Sequence, residues 1–100
     1  KELYTQFYYD DLTSLPNRNS LIKIIEDLNP FGIMIIDINN FSAINDIYGS
    51  DIGNKILISV SKLLINLSEN RYKVFRVGGD QFAFLDIKND NLNFTSNIVA

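Results

Sequence analysis

Hydrophobic spacing changes period several times along this chain, and each change marks an element. Leu3, Phe7 and Tyr8 predict a short helical lead-in. The run Asp10-Asp11-Leu-Thr-Ser-Leu-Pro16-Asn17 is turn-rich, and Pro16 interrupts any helix there. Leu21, Ile22, Ile24, Ile25 and Leu28 fall on one helical face, which Asn29-Pro30 ends. Phe31 to Ile38 is a continuous apolar run rich in β-branched residues, which predicts a central strand buried on both faces. A short helix follows from Phe41 to Tyr48, closed by Gly49. Ile52, Ile56, Leu57, Val60, Leu63, Leu64 and Leu67 trace a long amphipathic helix with Ser50 or Asp51 near its cap. Tyr72 to Val77 and Phe82 to Ile87 read as strands joined by a hairpin turn at Gly78-Gly79-Asp80-Gln81. Asn89 to Asn93 reads as a loop, and the last residues as the start of another helix.

The order helix, strand, helix, helix, strand, strand, helix predicts a mixed α/β fold. It has a sheet flanked by helices, one antiparallel hairpin and one right-handed crossover. The absence of a closing element predicts that the domain continues past Ala100.

Composition narrows the chemistry. With 46% hydrophobic and 21% charged residues, the 100-residue chain is a folded domain with a modest core. Nine Lys and Arg against 12 Asp and Glu give net −3, which argues against nucleic-acid or anionic-membrane partners. No apolar run reaches the length of a membrane span. The chain has neither Cys nor His, so disulfides, Cys/His zinc sites, Cys nucleophiles and His bases are excluded within it. Any metal would take oxygen ligands, which favours Mg²⁺, Mn²⁺ or Ca²⁺. Absent cysteine fits a cytoplasmic domain, whether or not the parent protein is membrane-anchored.

Two features carry candidate chemistry. Asp37 closes the apolar strand, where a buried carboxylate needs a partner, a hydrogen bond or a metal; its bland reading is a cap for the next helix. Gly78-Gly79-Asp80 allows a backbone to approach a ligand closely; its bland reading is an ordinary two-glycine turn. If the first strand lies beside the hairpin, Asp37 and Asp80 converge, and two carboxylates repel unless a cation lies between them. Mg²⁺ held this way usually serves phosphate chemistry. Backbone amides around Asn40, Phe41 and Ser42, at the start of the next helix, are placed to hold phosphate oxygens.

Three ordered segments resemble the GGDEF family. Asp11-Leu-Thr-Ser-Leu-Pro-Asn-Arg18 resembles its opening DxLTGLPNR signature. Asp37-Ile-Asn-Asn-Phe-Ser-Ala-Ile-Asn-Asp46, followed by Gly49 and Gly53, resembles DxDxFKxINDxxGHxxGD. Arg76-Val-Gly-Gly-Asp-Gln-Phe82 resembles the RxGGDEF motif that names the family. The resemblance implies a sheet like that of nucleotide cyclases and the polymerase palm. Residues 1–9 would then be the end of a linker or signalling helix, and residues 10–100 the first two thirds of the domain. Active members condense two GTP into cyclic di-GMP across a homodimer, with two Mg²⁺ (or Mn²⁺) at each site, and many sit beside sensory or EAL-type phosphodiesterase domains.

Carried over by position, the resemblance makes Asp37 and the Ile38 carbonyl metal ligands, and Asp80 a metal-binding or catalytic carboxylate. Gly78 and Gly79 would lie against the nucleotide, Phe41 and Ser42 near its phosphates, and Asn45 and Asn54 on guanine. Departures are specific. Gln81 stands where the motif has a catalytic Glu, and Asn54 where the family has Asp. An amide is a weaker ligand for a hard cation and accepts one guanine N–H where a carboxylate accepts two. Asn39, Ser42 and Ser50 replace the usual Asp, Lys and His, and Glu69-Asn-Arg-Tyr72 replaces the RxxD inhibitory site. The expectation is a degenerate domain that binds GTP and metal weakly and regulates an attached domain. The alternatives are an active cyclase and an inert dimerisation scaffold.

Overall fold

A computed structural model describes residues 3–28 and 32–86. The elements in order are α1 (Leu3–Tyr8), α2 (Arg18–Leu28), β1 (Gly32–Asp37), α3 (Phe41–Tyr48), α4 (Ser50–Ser68), β2 (Tyr72–Arg76) and β3 (Gln81–Asp86). The loop and helix expected after Ile87 lie outside the described residues. Asn17 caps α2: its Oδ1 accepts the Ser20 N–H at 3.1 Å. At the start of α4 the cap is Gly49, with no side-chain bond, so neither Ser50 nor Asp51 caps it. Asn40, in the left-handed region at φ 60°, precedes α3, so Asp37 is not that helix's cap.

The three strands form one antiparallel sheet in the order β1-β3-β2. β1 and β2 therefore run parallel, with the α3–α4 connection crossing over β3. The centre of this sheet is β3, not β1. From Phe82 to Asp86 every residue of β3 is buried. β1 instead alternates between half-buried and exposed, with Ile33 at 44% and Ile35 at 51% exposure. The apolar run marks a strand correctly, but one of its faces is uncovered among the described residues.

Each sheet face has its own core. Phe82, Phe84, Val74 and Tyr72 pack against Phe41 of α3, Leu57 and Leu64 of α4, and Leu15. Tyr72 and Phe84 stack with centroids 5.9 Å apart. On the other face Phe75, Ala83 and Leu85 pack against Leu21, Ile24 and Ile25 of α2. Full burial of each large apolar side chain contributes roughly 1.5–3 kcal/mol. These two layers pack the β2–β3 hairpin between helices.

Candidate functional site at the hairpin end of the sheet

The strand register brings two of the sequence motifs to one end of the sheet. Asp37, the last residue of β1, is directly opposite Gln81, the first of β3. One residue further on, the Ile38 N–H donates to the Asp80 carbonyl at 3.0 Å. Directly opposed residues project from the same face, so Asp37 and Gln81 are side-chain neighbours. The backbone adjacency needed to bring Asp37 towards Asp80 is therefore present. Asp37 itself is exposed, so the burial that was its first claim to chemistry is absent. Asp37 falls on the exposed phase of the strand's alternation, between half-buried Ile36 and Ile38.

The Gly-Gly turn is not dictated by its own backbone. Neither Gly78 nor Gly79 takes a positive φ. A Cβ at Gly78 would lie 3.1 Å from the Gln81 Oε1, whereas one at Gly79 would meet nothing within 4 Å. Gly79 thus leaves open a space that a side chain could fill. The Val77 and Gly78 N–H groups both donate to the Gln81 carbonyl, at 2.9 and 3.3 Å, and close the loop.

Arg76 fixes that loop from below. Its Nε donates to the Gly78 carbonyl at 3.2 Å and its Nη2 to the Gly79 carbonyl at 2.9 Å. Its Nη1 reaches both carboxylate oxygens of Asp10 at 3.0 Å. Asp10 in turn accepts from the Thr13 N–H and hydroxyl, each at 2.8 Å. Burial alone would raise the Asp10 carboxyl. The two Thr13 bonds, then the hydrogen bonds and charge of Arg76, outweigh burial and hold it below its ordinary value. The Arg76 N–H also donates to the Pro16 carbonyl at 2.9 Å. A cavity of about 300 Å³ opens beside this network, lined by Asp10, Asn17, Arg18, Arg76, Gly78 and Gly79 among others.

Asp10, Thr13 and Arg76 are the residues sequence reasoning missed. Starting the first motif at Asp11 is off by one: Asp11 is exposed, and Asp10 is the carboxylate bonded to Arg76. The signal was available, because Asp10 stands at the first position of DxLTGLPNR when Asp11 takes its variable place. That alignment also puts Ser14 at the signature's Gly, and Ser14 has φ 65°.

The remaining predicted residues lie on α3 and α4. The Phe41 ring is in the core, so only its backbone N–H, with that of Ser42, is left for a ligand at the first turn of α3. Asn45 sits further along α3, its Oδ1 buried and accepting no hydrogen bond from a described residue. Asn54 is exposed on α4. The connection 38–40 joins this pair to the end of β1.

The donor set here is oxygen-only and sparse. Among the described residues no three carboxylates, His or Cys form a metal-ligating group. Asp37, Asp80 and nearby carbonyls suit a hard cation completed by water and phosphate oxygens rather than a closed protein cage. Also among the described residues, no helix is long and apolar enough to cross a membrane.

Comparison with known proteins shows the family and the fold. The family profile described as "Diguanylate cyclase, GGDEF domain" matches residues 7–98. The chain is 34% identical to diguanylate cyclase DgcP of Escherichia coli over 94% of its own length and 30% of that protein's. It is 35% identical to the cyclic di-GMP phosphodiesterase PdeR of the same organism over 76% of its length and 12% of that protein's. A solved diguanylate cyclase/phosphodiesterase from Caldicellulosiruptor saccharolyticus superimposes with a TM-score of 0.80 at 26% identity, covering 95% of this chain and 62% of that one. The chain thus spans less than a third of the length of these two curated relatives.

Proposed function

The chain belongs to the GGDEF family of cyclic di-GMP signalling, and from that premise we propose that it is a degenerate member. In this reading it binds GTP with Mg²⁺ weakly, turns it over little, and regulates a domain attached to it. The observation that carries the reading is the register that sets Gln81 directly opposite Asp37, with the Gln81 side chain lying against Gly78. An acidic motif residue at position 81 would add a second charged oxygen ligand beside Asp37; the amide of Gln81 contributes a neutral one. Asp37, the Ile38 carbonyl and Asp80 would hold the cation, which when bound neutralises phosphate charge. Asn45 and Asn54 would hold the base, and the first-turn N–H groups of Phe41 and Ser42 the phosphates. Arg76 and Asp10 keep the hairpin backbone in place, and Gly79 leaves room for the nucleotide to approach it.

Pairing with a second GGDEF subunit and with a phosphodiesterase or sensory domain belongs to the same reading. Similarity to bifunctional relatives, such as MucR of Pseudomonas aeruginosa, supports it. The deciding experiment incubates the full-length protein with GTP and Mg²⁺, then Mn²⁺, and measures cyclic di-GMP by mass spectrometry. Degeneracy predicts little product from the native protein and more from Gln81→Glu. Abundant product from the native protein would establish an active cyclase instead. No product from either, with no GTP-dependent rise in melting temperature, would leave a scaffold.

A further inference from the structure

We propose that the cavity between α1, α2 and β2 is a second binding site, separate from the hairpin end of the sheet, for a small phosphate monoester carrying a single flat ring.

The cavity measures about 340 Å³, at the low end of the range for small-molecule sites, which suits one ring rather than two. Tyr8, its neighbour Tyr9, Pro16 and Ile24 give it aromatic and aliphatic walls. Backbone and hydroxyl groups behind those walls are engaged elsewhere. The Ser20 hydroxyl donates to the Tyr8 carbonyl, the Tyr9 N–H donates to the Thr5 carbonyl at 3.0 Å, and Pro16 has no N–H. The charges in the lining are those of Lys23, Lys73 and Asp27.

Lys73 departs from the pattern of its strand. Its partner in the ladder is Leu85, and Phe75 lies two residues on; both are fully buried in the core beneath α2. Opposed and alternate residues project from one face, so Lys73 stands on the face that α2 covers. An apolar side chain there would extend that core into the cavity. The lysine instead lines the cavity, exposed, with neither a hydrogen bond nor an ion pair to another described residue. A lysine on an edge strand such as β2 also deters pairing with other strands, but that role needs no cavity and no second cation. Lys23 supplies the second cation. It meets Asp27 only at 3.8 Å, with both side chains 60% exposed, so the pair is weak and the ammonium is available to another anion. Two ammonium groups against one carboxylate make this lining positive within a chain of net charge −3. A phosphate monoester carries close to two negative charges at neutral pH and matches two ammonium groups, while the tyrosines offer its ring an aromatic wall. Because Tyr8 ends α1, a bound ligand bridges that helix to α2 and β2.

The test uses the full-length protein with phenyl phosphate as the probe, followed by saturation-transfer NMR of the probe. Phenyl phosphate should bind with a Kd of about 1 mM, and inorganic phosphate and phenol each at least about tenfold more weakly. Lys73→Gln should weaken binding about tenfold, the value of one charge-assisted hydrogen bond, and leave Tm unchanged because the side chain is exposed and unpaired. Lys62→Gln, which removes an exposed charge from α4, should change nothing. Bound probe should slow hydrogen exchange at the Tyr9 amide, and saturating GTP with Mg²⁺ should not displace it. Absence of phenyl phosphate binding would overturn the proposal, as would an equal loss from Lys62→Gln. Inorganic phosphate binding as tightly as phenyl phosphate would overturn it too, leaving two surface lysines that attract any anion. Displacement by GTP would place the probe at the hairpin end of the sheet and refute a separate site. Protein that binds no GTP can still bind the probe, so this proposal and the proposed function fail independently.

Discussion

Replacing Gln81 with Glu places a carboxylate directly opposite Asp37 across the β1–β3 ladder. Opposed residues have Cβ atoms about 4.5–5.5 Å apart. At about 5.5 Å two unit charges repel by about 0.8 kcal/mol in a water-like dielectric and by about 3 kcal/mol at an effective dielectric of 20. Asp37 is exposed, so the smaller figure applies. It agrees with the range of about 0.2–1 kcal/mol known for cross-strand pairs. Gln81→Glu should therefore destabilise the metal-free protein by about 0.5–1 kcal/mol, and less as salt rises. At roughly 4–8 °C per kcal/mol for a domain of this size, Tm falls by about 2–8 °C. Adding Mg²⁺ should reverse the order, because a cation between the two carboxylates binds only the folded state. At ten times its Kd it returns about 1.4 kcal/mol. The assay is thermal denaturation of native and Gln81→Glu protein with and without Mg²⁺, at low and high NaCl. The reasoning is refuted if the variant is as stable as native protein in low salt and gains no more from Mg²⁺.

Other predictions follow from the Arg76 network and the turn before it. Arg76→Lys keeps the charge but loses the planar fork that reaches Asp10, Gly78 and Gly79 together; it should cost about 1–2 kcal/mol in urea denaturation and speed hydrogen exchange at the Gly78 amide. Because Asp10 has a folded-state pKa below its unfolded one, its stabilising effect is present above about pH 4 and fades as pH falls through the folded value. Asp10→Asn should thus be most destabilising near neutrality, and its Tm should converge on the native one in acid; a constant gap down to pH 2 would count against the ion pair. Ser14 pays for a left-handed φ of 65°, so Ser14→Gly should raise stability by about 0.5 kcal/mol after the extra chain entropy of glycine is subtracted. Asp80→Ala should leave folding intact and abolish any Mg²⁺-dependent GTP response; a retained response would remove Asp80 from the site.

The kind and order of the elements were legible in the chain, because hydrophobic period depends on neighbours a few residues apart. The helix over 41–48, the long helix after it and the two hairpin strands follow from that spacing alone, whereas the three motifs were legible by their resemblance to a family's signatures. Partner choice was not legible. An apolar run such as 31–38 marks a strand but does not say which of its faces is covered, and the structure makes β3 the buried centre and β1 the half-open neighbour. Capping was decided by close geometry: Gly49 takes the place before α4 although Ser50 and Asp51 have the better side chains. The site divides the same way. Local spacing singled out Asp37, Gly78, Gly79 and Asp80, whereas the Asp10–Arg76 pair spans 66 residues and exists only once β2 is laid beside the turn at Pro16. The cavity lined by Lys23 and Lys73 likewise needs β2 packed beside the first two helices. Sequence fixes what each segment can do through short-range covalent and steric limits; only long-range packing decides which of those capacities meet.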